Sequence, residues 1–250
     1  MMRKNNSIIF YLKGNKKAEY YKKNLIRADF GLHNQIINIV DRLFTEKDIK
    51  ILDIASGTGS LSSQLFDIGY NNIECVDLTP NNSNLSQKIS FYSLDLNDFQ
   101  SFNNYSSKRV GFFDLILGIE TIEHLENPWN YIRNLSSMLK PNGYIILTTP
   151  NISSLFSKVN FLLNDKFFQF DNSDQIYGHI NPISDFEIRT ICNSCNLKIK
   201  EHQAGGLYPI IWNNNGIRFT MIYSLSNIIL YPFCRGLRYG WCSLYLIEKK

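Results

Sequence analysis

The chain has 250 residues, of which 44% are hydrophobic and 19% are charged. These proportions are typical of a globular protein and exclude a disordered, collagen-like or repeat-linker chain. The formal net charge is +4, and residues 1–32 alone carry eight basic and two acidic side chains. A basic arm therefore precedes a nearly neutral body. The arm either attracts a phosphorylated ligand or an anionic surface, or it serves only to keep the protein in solution.

Several classes of protein are excluded by simple patterns. The five cysteines are an odd number scattered along a long chain, unlike the framework of a secreted disulfide-rich domain. The N-terminal apolar run is too short for a signal peptide, and the apolar stretch Phe219–Cys234 is too short and too interrupted to span a membrane. No base-recognition motif appears. We predict a cytoplasmic protein that does not bind nucleic acid.

Short apolar runs alternate with helical patterns through the middle of the chain, which predicts a parallel sheet with crossover helices. The predicted strands are, in chain order, Ile49–Ile54, Ile73–Asp77, Ile89–Leu94, Phe112–Gly118, Tyr144–Thr149, Leu197–Glu201 and Trp241–Ile247. The predicted helices are His33–Phe44, Ser60–Ile68, Pro128–Leu139 and Ser184–Cys195. The fold class is therefore α/β.

Two segments interrupt this alternation, the aromatic-rich stretch Asn151–Asn181 and the acid-free stretch Gln203–Tyr239. Long insertions in compact domains are usually lids or binding elements, so we predict that both form the substrate side of a cleft. The chain is then a single domain over 1–250, with a basic arm at 1–32, a core at 33–202 and 241–250, and an apolar insertion at 203–240. The amphipathic part of that insertion could instead contact a second copy or a membrane, and we favour the protein roles over the membrane.

The strongest local motif is a strand that runs into a tight loop poor in side chains, Ile51–Gly59 with the sequence ILDIASGTG. Such a loop lets a ligand approach the backbone, and the following helix offers unpaired N–H groups. Asp77 ends the next strand, where a carboxylate can accept both hydroxyls of a ribose. The order of these features predicts a nucleoside cofactor.

Three further blocks identify the cofactor. They are Glu120–Pro128 (ETIEHLENP), Leu139–Gly143 (LKPNG) and Thr149–Asn151 (TPN). With these blocks the chain, from about Ile49 to His202, resembles class I S-adenosylmethionine-dependent methyltransferases, in particular a branch that includes surface-polysaccharide methyltransferases. The resemblance implies a Rossmann-like, open, mostly parallel seven-stranded sheet with helices on both faces and an antiparallel last strand, extended by the N-terminal arm and substrate-side insertions.

The resemblance also implies where S-adenosylmethionine binds. It places the methionine part along the glycine-rich loop, the ribose at the end of the second strand, adenine after the third strand, and the sulfonium beside the end of the fourth. The corresponding residues of this chain are Asp53, Ala55, Ser56, Gly57, Gly59, Asp77, Leu78, Asp95, Leu96, Ile119 and Glu120. Ala55 stands where the family usually has glycine. Tyr21 of the basic arm is predicted to pack on the sulfonium through a cation–π contact, the alternative being ordinary packing.

Acceptor activation is assigned to His124 and Glu120 as the predicted catalytic residues. A hydroxyl needs a base before it can attack the methyl group, and histidine titrates near neutral pH. The alternative is that His124 only braces its loop. Glu123 and His179 are predicted to bind the substrate. The set Glu120, Glu123, His124 and His179 also resembles the metal ligands of small-RNA 3′-end methyltransferases, but the same motif is common without metal, and we predict no metal.

The predicted function is transfer of a methyl group from S-adenosylmethionine to a small acceptor, most simply a hydroxyl of a phosphorylated or nucleotide-linked sugar destined for a capsule or other surface polysaccharide. The alternatives are N-methylation of a small phosphorylated amine and a catalytically silent cofactor-binding protein of glycan assembly. A nicotinamide-dependent dehydrogenase is disfavoured. A short-chain reductase would need a Tyr-x-x-x-Lys pair in the middle of the chain to deliver a proton, and the only such spacing, Tyr245 with Lys249, begins in the last predicted strand. We expect a monomer or a homodimer.

Overall fold

One twisted sheet of seven strands organises the computed structural model, which describes residues 20–29, 31–79, 85–170, 178–206 and 240–250. A separate two-stranded hairpin, β1 and β2, lies in the N-terminal arm. The strands are β1 Tyr20–Tyr21, β2 Asn24–Leu25, β3 Lys50–Ile54, β4 Asn72–Asp77, β5 Ser90–Ser93, β6 Phe113–Gly118, β7 Leu139–Pro150, β8 Leu197–Gly205 and β9 Cys242–Lys249. The order across the large sheet is β5-β4-β3-β6-β7-β9-β8, and β9 is antiparallel to both of its neighbours. The predicted fold, including its antiparallel last strand, is confirmed.

The helices cover both faces of this sheet. They are α1 Leu32–Leu43, α2 Ser60–Asp67, α3 Phe99–Ser107, α4 Pro128–Met138, α5 Leu155–Asn164 and α6 Asp185–Ser194, with a single 3-10 turn at Ile122–His124. Successive residues of a strand point to opposite faces. Accordingly, Leu52 packs in a core with α3, α4 and α6, whereas Ile51 packs in a second core with α1 and α2.

Local capping explains where several helices begin. The side chain of Asp98 accepts hydrogen bonds from the backbone N–H groups of Gln100 and Ser101, 3.1 Å each, at the start of α3. Pro128 occupies the first turn of α4, where its missing N–H costs nothing. Ser184 caps α6 in the same way, accepting from Glu187 N at 3.1 Å.

The structure differs from the predicted elements in four main respects. Helix α3 was not predicted because its sequence, FQSFNNYSS, has little apolar periodicity and only its N-cap indicates it. Helix α5 lies inside the stretch predicted as a loop. Strand β7 begins at Leu139 and not at Tyr144, because the Pro-Asn-Gly residues form a bulge between two stretches paired with β6. The predicted start of the insertion at 203 was wrong, because Gln203–Gly205 pair with β9.

The substrate-side wall predicted from the two insertions lies partly outside the described residues, namely over 171–177 and 207–239. Among the helices that the structure does describe, none is long and apolar enough to cross a membrane.

Candidate functional site

The carboxyl ends of four parallel strands bring the predicted cofactor residues to one edge of the sheet. The chain leaves β3 through α2 on one face and β5 through α3 on the other, so a crevice opens between β3 and β6 at the point where the strand order reverses. The loop after β3, Asp77 at the end of β4, Asp95 after β5 and Ile119 after β6 all belong to this edge. The topology thus supports the predicted location of the cofactor.

The loop after β3 is held in a strained, compact shape. Ala55, Gly57 and Gly59 have φ angles of 59°, 57° and 68°. The loop is fixed by backbone bonds from Ser56 N to Val76 O, 3.0 Å, and from Gly59 N to Ser56 O, 2.9 Å. Left-handed conformations cost a residue with a side chain about 1–2 kcal/mol. The loop therefore presents bare backbone at the first turn of α2, where an elongated ligand can approach it.

We expect the left-handed conformation of Ala55 to be visible in stability measurements. Replacing Ala55 by glycine should leave the free energy of unfolding unchanged or raise it by up to about 1 kcal/mol, because relief of strain offsets the added entropy of the unfolded chain. Replacing it by valine should lower that free energy by about 2 kcal/mol or more, since a β-branched side chain fits this conformation worse. Urea unfolding of both variants measures the difference, and equal stability of the two would contradict the loop geometry.

Asp53 supports this loop from behind. Its side chain is 3% exposed and accepts a hydrogen bond of 2.6 Å from Ser62 Oγ in α2. Burial raises the pKa of the Asp53 carboxyl to about 6. The Asp53 carboxylate is therefore bonded to α2. Its contribution to the predicted cofactor site is to position the loop.

Asp77 is joined directly to the loop. One carboxylate oxygen accepts a hydrogen bond of 2.7 Å from Gly57 N, and the other lies 3.3 Å from Thr79 N. Leu78 beside it is 60% exposed, which is unusual for a large apolar side chain and suits contact with a flat ring. Leu94 N donates to Asp77 O at 2.9 Å, so the loop of Asp95 and Leu96 begins next to Asp77.

The basic arm reaches the same loop, but through other residues than predicted. Thr58 Oγ1 donates a hydrogen bond of 2.6 Å to Leu25 O, and a Cβ added to Gly57 would lie 3.9 Å from Arg27 Cδ. The Tyr21 hydroxyl instead donates to Asp67, the last residue of α2. The prediction that Tyr21 covers the sulfonium is wrong, because α2 separates its partner from the loop.

Glu120 forms a polar cluster beside the end of β6. Thr148 Oγ1 donates to one of its carboxyl oxygens at 2.7 Å, and the Cys242 thiol lies 3.3 Å from the other and 3.4 Å from the Asp29 carboxylate. Burial, followed by the negative charge of Asp29, raises the pKa of Glu120 to about 7. Glu120 itself has a φ of 48°, which marks a strained backbone at a candidate functional position. Asp29 and Cys242 were not predicted, because only the fold brings the arm and β9 together here.

Glu123 and His124, on the same loop, form a second cluster with His179 from the segment before α6. The two imidazole rings meet edge to face with centroids 4.8 Å apart. Glu123 is fully buried, its Oε1 lies 3.9 Å from His124 Nε2, and neither carboxyl oxygen has a hydrogen-bond partner among the described residues. Burial and the charge of Glu120 raise the pKa of Glu123 well above its usual value. Three of the four residues that the sequence associated with a metal are thus brought together.

The backbone fixes how these histidines are presented. The ring nitrogen Nδ1 of His179 lies 2.7 Å from Gln169 O, and a backbone contact from Gly178 acts on His124. A neutral imidazole that donates from Nδ1 keeps a lone pair on Nε2. Burial and the neighbouring His179 lower the pKa of His124, which favours the neutral ring. The cluster therefore offers nitrogen lone pairs beside a buried carboxyl group, which suits either a general base or a cation.

Comparison with protein families gives an independent result. The sequence model of a family described as "Methyltransferase domain" matches residues 30–202. That match includes the glycine-rich loop, Asp77, the Glu120–His124 block and His179, which are the residues that the fold gathers at the edge of the sheet.

Similar proteins with assigned functions are ubiquinone biosynthesis O-methyltransferases. The protein from Rickettsia typhi is 25% identical over 208 residues, which cover 74% of this chain and 79% of that protein. The mitochondrial protein from Dictyostelium discoideum is 26% identical over 130 residues, and that from Xanthomonas axonopodis is 31% identical over 104 residues. These two matches cover 48% and 41% of this chain, and they span only 40% and 43% of those relatives.

Solved structures show the same fold at low identity. A SAM-dependent methyltransferase from Archaeoglobus fulgidus superposes with a TM-score of 0.56 at 16% identity, covering 98% of this chain and all of that one. A putative methyltransferase from Haloferax volcanii, solved with the Trm112 activator, superposes with a TM-score of 0.55 at 14% identity, covering 87% and 89% of the two chains. At these identities the likeness concerns the fold alone.

Proposed function

The chain belongs to the methyltransferase-domain family, and from that premise we propose that it transfers the methyl group of S-adenosylmethionine to a hydroxyl of a small acceptor. The acceptor we favour is a sugar that is phosphorylated or nucleotide-linked and is destined for a surface polysaccharide. The observation that carries the proposal is the position of His124, on the loop that leaves β6 at the same edge of the sheet where the predicted cofactor loop leaves β3.

The geometry supports hydroxyl chemistry in two ways. Methyl transfer is an in-line displacement, so a loop that holds the cofactor and a base on the loop after the neighbouring strand supply the positioning that it needs. A hydroxyl must also lose its proton as it attacks, and the lowered pKa of His124 favours the neutral imidazole, which can accept that proton. An amine acceptor would need only a deprotonated nitrogen, so the assembled base favours oxygen over nitrogen.

The relatives favour a second acceptor class. Their names specify O-methylation in ubiquinone biosynthesis, which for those proteins points to a hydroxyl of a non-sugar compound. The named chemistry agrees with a hydroxyl acceptor and is in tension with a sugar. A hydroxylated aromatic ring is therefore the second candidate acceptor for this chain.

A panel of acceptors separates these possibilities. Purified protein is incubated with S-adenosylmethionine and, in parallel, nucleotide sugars, sugar phosphates, catechols or phosphorylated amines, and release of S-adenosylhomocysteine is measured. We expect release with hydroxyl acceptors and the largest rate with a sugar. Release with catechols alone would replace the sugar assignment, and release with amines alone would contradict O-methylation. Cofactor binding without turnover on any acceptor would support the silent-binder alternative.

A divalent cation is a specific alternative to the general base. Its support is the buried Glu123 carboxyl, which lacks a hydrogen-bond partner among the described residues, facing two imidazoles whose ligand atoms lie within 4.8 Å. A carboxylate and two imidazole nitrogens suit zinc or another transition metal. Such an ion would polarise the acceptor hydroxyl and lower its pKa.

We expect activity to survive a chelator if His124 acts as the base. The assay is turnover of the best acceptor after dialysis against EDTA, with and without added zinc, manganese or magnesium. Retention of activity within about twofold supports the base. Loss of at least tenfold, restored by one ion, would assign the Glu123 cluster to a metal and contradict the metal-free mechanism. Replacing Glu123 by glutamine should then abolish the rescue, because an amide is a weak metal ligand.

A further inference from the structure

A cavity of about 420 Å³ opens beside the two histidines, within the size range of small-molecule sites. Its walls are the residues that directly follow His124 in the chain, those that directly follow His179, and Glu187 of α6. The cavity therefore adjoins the two segments that carry the histidines, and no residue of the glycine-rich loop lines it.

The two walls are joined by hydrogen bonds, so the cavity is formed before any ligand arrives. The Glu123 carbonyl accepts from Ile180 N and from Asn181 N, 3.0 Å each. Asn181 Nδ2 also donates to Leu125 O at 3.2 Å. A site that is already ordered loses less entropy on binding than one that must assemble.

The lining has a distinct chemistry. Trp129 and Ile180 provide apolar surface, and Ile180 is 55% exposed although its backbone is fixed. Glu126, Asn181 and Glu187 provide carboxylate and amide groups at the same cavity. Within the described part of the chain no lysine or arginine lines it. Carboxylates accept hydrogen bonds from hydroxyls and repel phosphate, and an indole ring presents a flat apolar face.

We propose that this cavity binds the uncharged, hydroxylated ring of the acceptor, and that the phosphate of a phosphorylated or nucleotide-linked acceptor is held elsewhere. This proposal rests on the proposed methyl-transfer function, which supplies the acceptor. A pyranose and a hydroxylated aromatic ring share the required chemistry, since each combines an apolar face with hydroxyl donors. The cavity thereby selects the ring, while His124 selects the hydroxyl that is methylated.

Calorimetric titration of the protein saturated with S-adenosylhomocysteine tests this proposal without needing turnover. The probes are methyl α-D-glucopyranoside, catechol and inorganic phosphate, each up to about 50 mM. We expect saturable binding of at least one ring probe and no binding of phosphate that competes with it. Preference between the two rings distinguishes a sugar from an aromatic acceptor. Failure of both rings to bind, or competition by phosphate for the same site, would overturn the proposal.

Variants of the lining residues test whether the ring probes bind in this cavity. Trp129→Ala should weaken ring binding at least fivefold, whereas Trp129→Phe should retain it within about twofold. Glu187→Gln should weaken it, and Glu46→Gln, remote from the cavity, should not. Unchanged S-adenosylhomocysteine affinity in each variant shows that it is folded. If Trp129→Ala binds the ring as wild type does, the ring lies elsewhere. Ring binding without methyl transfer on any acceptor would reject the proposed function and leave the cavity assignment intact.

Discussion

Replacing His124 by alanine is expected to lower turnover at least 100-fold while leaving the affinity for S-adenosylmethionine within about twofold of wild type. General-base catalysis typically contributes a factor of 10²–10⁴, and the side chain lies on the loop after β6 and not on the cofactor loop. Steady-state kinetics with the best acceptor gives kcat, and calorimetry gives the cofactor affinity. Retention of turnover within threefold would leave His124 with a structural role alone.

The asparagine variant distinguishes a general base from a residue that only braces its loop. The amide of His124→Asn can donate to the Gly178 backbone as the imidazole does, but it carries no basic nitrogen. We expect it to be as inactive as the alanine variant. The pH profile is a further control: because the pKa of His124 is lowered, protonation of the imidazole should reduce wild-type turnover in acid, below the range in which Glu120, with its pKa raised to about 7, titrates. An active asparagine variant would contradict the base.

Replacing Asp77 by alanine is expected to weaken S-adenosylmethionine binding by tenfold or more. The variant loses the predicted contact to the ribose hydroxyls and also the acceptor of the Gly57 N–H bond, which fixes the loop. A hydrogen bond to a charged group contributes about 1.5–3 kcal/mol, and each 1.4 kcal/mol is a factor of ten in affinity. Titration calorimetry measures the change directly.

Asp48→Ala is the matched control for Asp77. Asp48 lies before the first residue of β3, at the opposite end of that strand from the glycine-rich loop. Its removal takes away one carboxylate at a distance from the crevice, so cofactor affinity should stay within about twofold. Equal affinities of wild type, Asp77→Ala and Asp48→Ala would remove Asp77 from the cofactor site.

The sheet could be predicted from the sequence because each strand has a local sequence pattern. Each central strand is a run of apolar residues bounded by turn residues, and the glycine-rich loop with Asp77 specifies the edge where a ligand binds. Helix α3 was not predicted because its large buried side chains, Phe102 and Tyr105, stand in an otherwise polar sequence. The pairing of Gln203–Gly205 with β9 depends on a partner strand almost forty residues away along the chain, so no local pattern could indicate it.

The site was predictable where it lies on one motif and unpredictable where distant segments meet. Glu123 and His124 follow from the Glu-x-x-Glu-His block, and His179, which the resemblance grouped with them, lies beside His124 in the structure. The Asp29–Cys242–Glu120 cluster joins the arm, β9 and the end of β6, which only the folded chain brings together. Tyr21 was misassigned for the same reason, because only the folded position of the β1–β2 hairpin brings Tyr21 to its partner Asp67.

Direct titration of the wild-type protein with S-adenosylmethionine tests the cofactor assignment on which every other proposal depends. NADH serves as the competing ligand, because a glycine-rich loop followed by an acidic residue also occurs in dinucleotide-binding folds. We expect saturable 1:1 binding of S-adenosylmethionine that Asp77→Ala weakens, and no binding of NADH to the same site. Binding of NADH alone, or no binding of S-adenosylmethionine at millimolar concentration, would contradict it.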